Sequence, residues 1–353
     1  MKCAVYYGKN DVRLEDWPEP ELKKNTDVKI KIDYCGICGS DLEEYYYGPV
    51  VVPEKAHPMT GRKMPLILGH EFSGTVESVG SAVKSVRPGD RVVVNPVLGC
   101  GECYWCKKGV PCLCESMACI GLQSDGAFAE YAVIPEDNCM LVPEGADMAS
   151  ITLIEPCATA IRNLKRARMK VGDNVLVIGA GTVGLLTIQA ARLAGADKVM
   201  AVEVNEFRSE MALKLGADAV FSPFEDDLKK KIRGITGGRG IQIAIEITGK
   251  ESSPVLALEV IEKGGTIVLV GICPEPSPLL TRNIARNEID IFGVHGYTKD
   301  DIRDSISFIS SGRIKAAELI TGIIGIDSIV DKGFNKLGPN GEKEIKIIVD
   351  MNR

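Results

Sequence analysis

The chain has 353 residues, 45% of them hydrophobic, and a formal net charge of −6. That length suits two domains rather than one core. The acidic balance excludes a global basic field that would draw in nucleic acid or an anionic membrane surface, so neither is expected as a partner. The N-terminal stretch MKCAVYYGKNDVRLEDW places charges where a secretory signal needs an apolar core. A cytoplasmic location is therefore expected, with the twelve cysteines held as reduced thiols or metal ligands.

Residues 1–150 read as short strands divided by turns. The strand candidates are KCAVYYG, VRLEDW, DVKIKIDYCG, FSGTVESVG, DRVVVNP and AFAEYAVIP, with turn signals such as Pro88-Gly89-Asp90 between them. This predicts an antiparallel, partly barrelled domain. Near residue 157 the pattern changes. The apolar strands NVLVIGAG, KVMAVEV, DAVFS, IQIAIEITG, GTIVLVG and EIDIFGVHG alternate with helical stretches over 184–194, 206–215, 225–234 and 253–263. Such alternation predicts a parallel, doubly wound α/β sheet, and six strands fit a dinucleotide-binding domain. The uncharged run Val175–Ala191 is short for a membrane span and carries Gly179, Gly181 and Gly184; it reads as a buried strand entering a buried helix. The last segment mixes helix and strand and ends in EIKIIVDM. The expected division is 1–156, 157–294, and a return of 295–353 to the first domain, with a cysteine-rich lobe over 96–116.

Gly179-Ala180-Gly181-Thr182-Val183-Gly184 is a GxGxxG placed between an apolar strand and a helix, the context a dinucleotide loop requires. The first glycine permits the turn. The second lets backbone approach a pyrophosphate, and the third lets helix and strand pack closely. Phosphate charge then meets the positive end of the helix. The next strand ends at Glu203, whose carboxylate is placed to accept the ribose hydroxyls of NAD and to repel the extra phosphate of NADP. Arg208, five residues on, is a candidate to lie along the adenosine ribose.

The chain has three histidines, His57, His70 and His295, too few for a histidine-rich metal cage. His70 stands in Leu68-Gly69-His70-Glu71, downstream of Cys35-Gly36-Ile37-Cys38-Gly39-Ser40-Asp41. A thiolate, an imidazole and a carboxylate suit zinc with one position left for water or substrate. A second cluster, Cys100-x2-Cys103-x2-Cys106-x7-Cys114, offers four thiolates. These would close a tetrahedral zinc with no open position, so that site is expected to be structural. A nucleic-acid-binding zinc module and disulfides are the alternatives there, disfavoured by the acidic whole and by the tight spacing. Cys112 is left over as an unligated thiol.

Together CGICGSD (35–41), GHEFSG (69–74), PGDRV (88–92), the four-cysteine lobe, GAFAEY (126–131) and GAGTVG (179–184) resemble the zinc-dependent medium-chain dehydrogenase/reductase superfamily, over essentially the whole chain. The long connection GPVVVPEKAHPMTGRKMPLILGHEFSG (48–74) is similar to that of its 2,3-butanediol dehydrogenases. The resemblance implies a GroES-like, mostly-β catalytic domain joined to a Rossmann-fold coenzyme domain, with NAD as cofactor and two zinc ions per chain. It makes Cys38 and His70 ligands of the catalytic zinc, with Glu71 and Glu155 as the remaining ligand candidates. Cys100, Cys103, Cys106 and Cys114 become ligands of the structural zinc. Asp41 matches the carboxylate that orients the ligand histidine, and Ser40 the hydroxyl that first accepts the alcohol proton. Thr159 and Val183 match positions lining the nicotinamide. Val270 and Ile272, which close the strand GTIVLVG and enter the loop after it, are further expected cofactor contacts.

Relatives usually read CGSDLH, whereas this chain reads Cys38-Gly39-Ser40-Asp41-Leu42-Glu43 and puts Glu43 at the proton-relay position. Arg162 stands where relatives often carry histidine, and Tyr45-Tyr46-Tyr47 is a candidate substrate wall. The activity implied is NAD-dependent hydride transfer from a small secondary alcohol, with vicinal diols such as 2,3-butanediol favoured. The rivals are a polyol dehydrogenase, a threonine dehydrogenase and, from another class, a non-catalytic NAD-binding redox sensor. A homodimer or homotetramer is expected, with EIDIFGVHG pairing across a two-fold axis.

Overall fold

The computed structural model describes residues 1–338 and 341–353. The chain divides into two compact units. One comprises Met1–Glu155, Tyr297–Gly312 and Ala316–Arg353; the other comprises Pro156–Gly296 and Arg313–Lys315.

The first unit is built around the strand Asp27–Gly36. Val28, Ile30 and Ile32 alternate with Lys29 and Lys31, so one face of the strand is buried and the other is wetter. It lies inside a seven-stranded sheet and pairs antiparallel with Glu71–Val79, Tyr131–Pro135 and Lys346–Asp350. Lys346–Asp350 pairs in parallel with Ile320–Gly325, the one parallel contact of this sheet among the described residues. A three-stranded sheet of Asp11–Asp16, Lys2–Gly8 and Leu66–Ile67 packs its apolar residues into the same core. Tyr6, Ile30, Phe72, Phe128 and Phe334 are buried there, each contributing about 1.5–3 kcal/mol by leaving water.

The second unit holds a six-stranded parallel sheet in the order Ala219–Phe221, Val199–Val202, Val175–Ile178, Ile241–Glu246, Ile261–Leu269, Asp290–Gly293. Val175–Ile178 and Val199–Val202 read as continuous apolar runs, as expected where helices cover both faces of such a sheet. Chain order reverses between Val175–Ile178 and Ile241–Glu246, the switch point at which such sheets bind ligands. The helix expected over 253–263 ends at Val260, and Ile261 is already extended (φ −62°, ψ 144°). Two adjacent β-branched residues followed by Gly264-Gly265 favour leaving the helix there. The helix expected from 225 begins at Leu228, because Asp227 at φ 60° interrupts the helical path before it. Among the described residues no helix is long and apolar enough to cross a membrane.

Candidate active site

In the first unit Gly36 stands opposite Glu71 in the antiparallel ladder. That register sets the segment leaving one strand, which carries Cys38, beside the segment entering the other, which carries His70. Gly69 makes the turn before His70 at φ +95°, and a Cβ there would press on the Cys35 sulfur at 2.8 Å, so glycine is required on both counts. Cys38 is the N-cap of the helix Gly39–Tyr47. Its N–H donates to Asp41 Oδ2 at 2.8 Å. The donor atoms of Cys38, His70 and Glu71 lie within 4.8 Å of one another.

His70 and Glu71 are 4% and 1% exposed, and Asp41 is fully buried. Asp41 Oδ1 faces His70 Nδ1 at 3.5 Å, so Nε2 is the ring nitrogen turned away from Asp41. Ser40 Oγ lies 3.3 Å from that Nε2. Burial alone would lower the His70 pKa, but Asp41 and Cys38 outweigh it and hold it well above its ordinary value. The pocket is thus an anionic cage that favours a cation. Glu71 Oε1 is buried with no hydrogen-bond partner. A sulfur, a nitrogen and an orphaned carboxylate oxygen at this separation fit a zinc ion with room for another ligand.

Glu155 begins the helix Ile154–Arg166. It falls outside the three-donor group but within its field. Burial, then the Glu71 carboxylate, push its acid up to about 7, while His70 and the Tyr297 phenol pull the other way. Glu43 is exposed on the helix Gly39–Tyr47. Its neighbour Glu44 is the buried one, accepting N–H bonds from Val50, Val51 and Val52 and anchoring the start of the long 48–74 connection.

Sequence reasoning missed Lys346. This lysine is 2% exposed on the strand Lys346–Asp350. Its Nζ donates to the Ile37 carbonyl at 2.8 Å and forms an ion pair with Glu71. Burial would lower its pKa, but Glu71 holds it above the usual value. A Cβ at Gly36 would lie 2.6 Å from Glu71 Oε2 and 2.8 Å from Lys346 Cε, so this glycine makes room for the pair. The available sign was a lysine between isoleucines in a strand that otherwise reads as core.

The sulfurs of Cys100, Cys103, Cys106 and Cys114 form a second group within 4.8 Å. Backbone N–H groups of Cys103, Cys106 and Cys100 donate to Cys100, Cys103 and Cys114 sulfur at 3.3, 3.5 and 3.3 Å. Such bonds, led by the one from Cys106, bring the Cys103 thiol down to about 6. Burial pushes the Cys106 thiol the other way, to about 12. Four sulfurs gathered at this separation fit a zinc, which binds them as thiolates. Cys112 is buried outside this group.

In the second unit Gly179 ends the strand Val175–Ile178 at φ +100°. A Cβ on Gly184 would collide with the Gly179 carbonyl, whereas one on Gly181 would meet nothing within 4 Å. Gly181 therefore keeps open the space a pyrophosphate would fill, at the N-cap of the helix Thr182–Leu193, which carries Val183 in its first turn. Glu203 is already engaged. It accepts from Ala180 N–H at 2.6 Å and from Val204 and Asn205 N–H at 2.9 and 3.0 Å, so it braces the glycine loop as well as facing the strand ends. The Arg208 N–H donates to the Asn205 side chain that caps the next helix. Thr159 is half-buried on the helix Ile154–Arg166, Val270 donates its N–H to the Glu246 carbonyl, and Ile272 is 78% exposed.

Residues 24–144 match the model of the alcohol dehydrogenase GroES-like domain, and residues 182–311 that of the zinc-binding dehydrogenase. The chain is 35% identical to (R,R)-butanediol dehydrogenase of Bacillus subtilis, with all of both chains covered. It is 33% identical to sorbitol dehydrogenase of the same organism, covering 100% of this chain and 98% of that one. The crystal structure of 2R,3R-butanediol dehydrogenase from Bacillus subtilis superposes with a TM-score of 0.92 at 34% identity, covering 99% of each chain.

Proposed function

The chain belongs to the zinc-dependent medium-chain dehydrogenase/reductase superfamily, and on that premise we propose that it oxidises a small vicinal diol of the 2,3-butanediol type with NAD, and reduces the matching hydroxyketone in reverse. The observation that carries this reading is the group of half-buried Cys38 with buried His70 and Glu71, an oxygen left unsatisfied, in a chain similar over its full length to butanediol dehydrogenase.

In this reading Cys38, His70 and a carboxylate, Glu71 or Glu155, hold one zinc, and Cys100, Cys103, Cys106 and Cys114 hold a second. When bound, the first zinc supplies Lewis acidity toward an alcohol or ketone oxygen, and NAD supplies the hydride acceptor. Asp41 fixes the ring of His70 through Nδ1 and the Cys38 backbone through Oδ2, so both donors keep their aim. Ser40, at 3.3 Å from His70 Nε2, is the hydroxyl placed to take the proton the alcohol gives up. Glu43, three residues on and exposed, passes that proton on to solvent. Lys346 balances the charge of Glu71, which leaves Glu155 free to serve at the same site. Gly179, Gly181, Val183 and Gly184 cradle the pyrophosphate, Glu203 and Arg208 the adenosine ribose, and Thr159, Val270 and Ile272 the nicotinamide side. The cofactor-holding part is 157–294 and the catalytic part the remainder. The same reading includes a cytoplasmic homodimer or homotetramer joined through the strand Asp290–Gly293.

A polyol is the second reading, favoured by the 33% identity to a sorbitol dehydrogenase. The test is NAD reduction by the zinc-loaded enzyme across the 2,3-butanediol stereoisomers, sorbitol, xylitol and threonine. The highest kcat/KM is expected for a butanediol isomer. A higher value for sorbitol or xylitol overturns the diol reading, and no turnover of any of them overturns both.

A further inference from the structure

One buried carboxylate of the second unit has no part in the chemistry described so far. Glu246 is 2% exposed and ends the strand Ile241–Glu246. In the sheet it lies between Ile178, the last residue before Gly179, and Leu269, the last before Val270. It therefore stands at the switch point, between the strand that feeds the glycine loop and the strand that feeds the 270–272 loop.

Its side chain holds the turn that follows it, and its backbone carbonyl holds the start of the 270–272 loop. Its Oε1 accepts from the Thr248 N–H at 2.6 Å, from the Thr248 hydroxyl at 2.6 Å and from the Gly249 N–H at 3.0 Å. Its backbone carbonyl accepts from the N–H groups of Val270 and Gly271 at 2.9 and 3.2 Å. The turn it shapes then meets both neighbours. A Cβ on Gly179 would lie 2.8 Å from Thr248 Cγ2, one on Gly249 (φ +64°) would lie 2.7 Å from the Ile272 carbonyl, and one on Gly271 would lie 2.8 Å from Glu246 Oε2. The turn held by this carboxylate is thus packed between the glycine loop and the 270–272 loop, with glycine at each close approach. A buried carboxylate accepting three donors is a strong, rigid anchor. Preformed backbone around a ligand lowers the ordering cost of binding it.

We propose that Glu246 is a positioning residue for the dinucleotide: through Thr248 it sets the Gly179 turn and the 270–272 loop in their receiving geometry before the cofactor arrives. The inference rests on the reading of this unit as the NAD-binding one, and it adds a residue that touches no part of the cofactor.

The test compares the zinc-loaded wild-type enzyme with Glu246→Gln, which cannot accept from three donors at one oxygen with full charge, and with Thr248→Val, which keeps the shape and removes the hydroxyl link. Equilibrium NADH binding by fluorescence is read beside thermal melting, KM for NAD, KM for the alcohol and kcat. Glu246→Gln is expected to weaken NADH binding and raise KM for NAD by about tenfold, and Thr248→Val by about threefold, the range a lost hydrogen bond gives. The alcohol KM and kcat at saturating NAD stay within about twofold of wild type, a split that general loosening of the fold would not produce. NADH affinity within twofold of wild type in a folded Glu246→Gln protein overturns the proposal. If Glu246→Gln does not fold, unchanged NADH affinity in Thr248→Val overturns it in the same way. Failure of the wild-type enzyme itself to bind NADH would instead strike the dinucleotide reading.

Discussion

Replacing Lys346 with methionine keeps the volume and the apolar stem but deletes the ammonium that faces Glu71. Both partners are at most 2% exposed, so water cannot take over the lost interaction. Removing one member of a buried ion pair typically costs about 3–5 kcal/mol, because the other charge is left uncompensated. The Ile37 carbonyl loses its donor as well, adding about 1 kcal/mol. A total of about 4–6 kcal/mol lowers the melting temperature of a domain of this order by about 8–24 °C, at roughly 2–4 °C per kcal/mol. The assay is thermal unfolding, with the Cys38–His70 site stripped of metal so that no cation stands in for the ammonium, of wild type, Lys346→Met, Glu71→Gln and the double variant. The double variant is expected to recover most of the loss seen in Lys346→Met, since both charges are then gone. A melting temperature for Lys346→Met within about 2 °C of wild type would refute the reasoning, and so would a double variant no better than the single one.

Gly181→Ala is expected to fold as the wild type does, because nothing lies within 4 Å of the added carbon, yet to lose about tenfold or more in NADH affinity as that carbon enters the phosphate space. Unchanged affinity would show that the cradle lies elsewhere. Cys106→Ser is expected to lose one zinc per chain by elemental analysis and to melt earlier, while Cys112→Ser keeps full zinc content. Equal zinc in the two variants would contradict the four-sulfur assignment.

Much of this molecule is readable along the chain because its signals are local. GxGxxG sits between a strand and a helix, and four cysteines crowd one lobe, so spacing alone points to them. The longer strands, such as Lys2–Gly8, Asp27–Gly36 and Val175–Ile178, follow from apolar runs and turn residues, whereas the two- and three-residue strands Leu66–Ile67, Val97–Leu98, Ala118–Cys119 and Cys139–Leu141 are too short to carry a pattern of their own. The rest depends on pairs distant in sequence. Lys346 meets Glu71 only because two strands from opposite ends of the chain flank Asp27–Gly36. Glu43 and Glu44 look alike in sequence, but the phase of one helix exposes the first and buries the second. Glu203 fits a ribose-binding strand end, and nothing local shows that it also holds the Ala180 N–H. Glu246 reads as one more strand end until the order of the sheet places it beside Gly179 and Val270.

Turnover measured against zinc per chain tests the central claim most directly. A chelator is used to draw metal from the Cys38–His70 site while the four-thiolate site, closed to solvent ligands, keeps its ion. Activity is expected to fall in step as zinc drops from two ions per chain to one, with the melting curve retained, and to return when zinc is added back. Undiminished turnover at one zinc per chain would contradict the account.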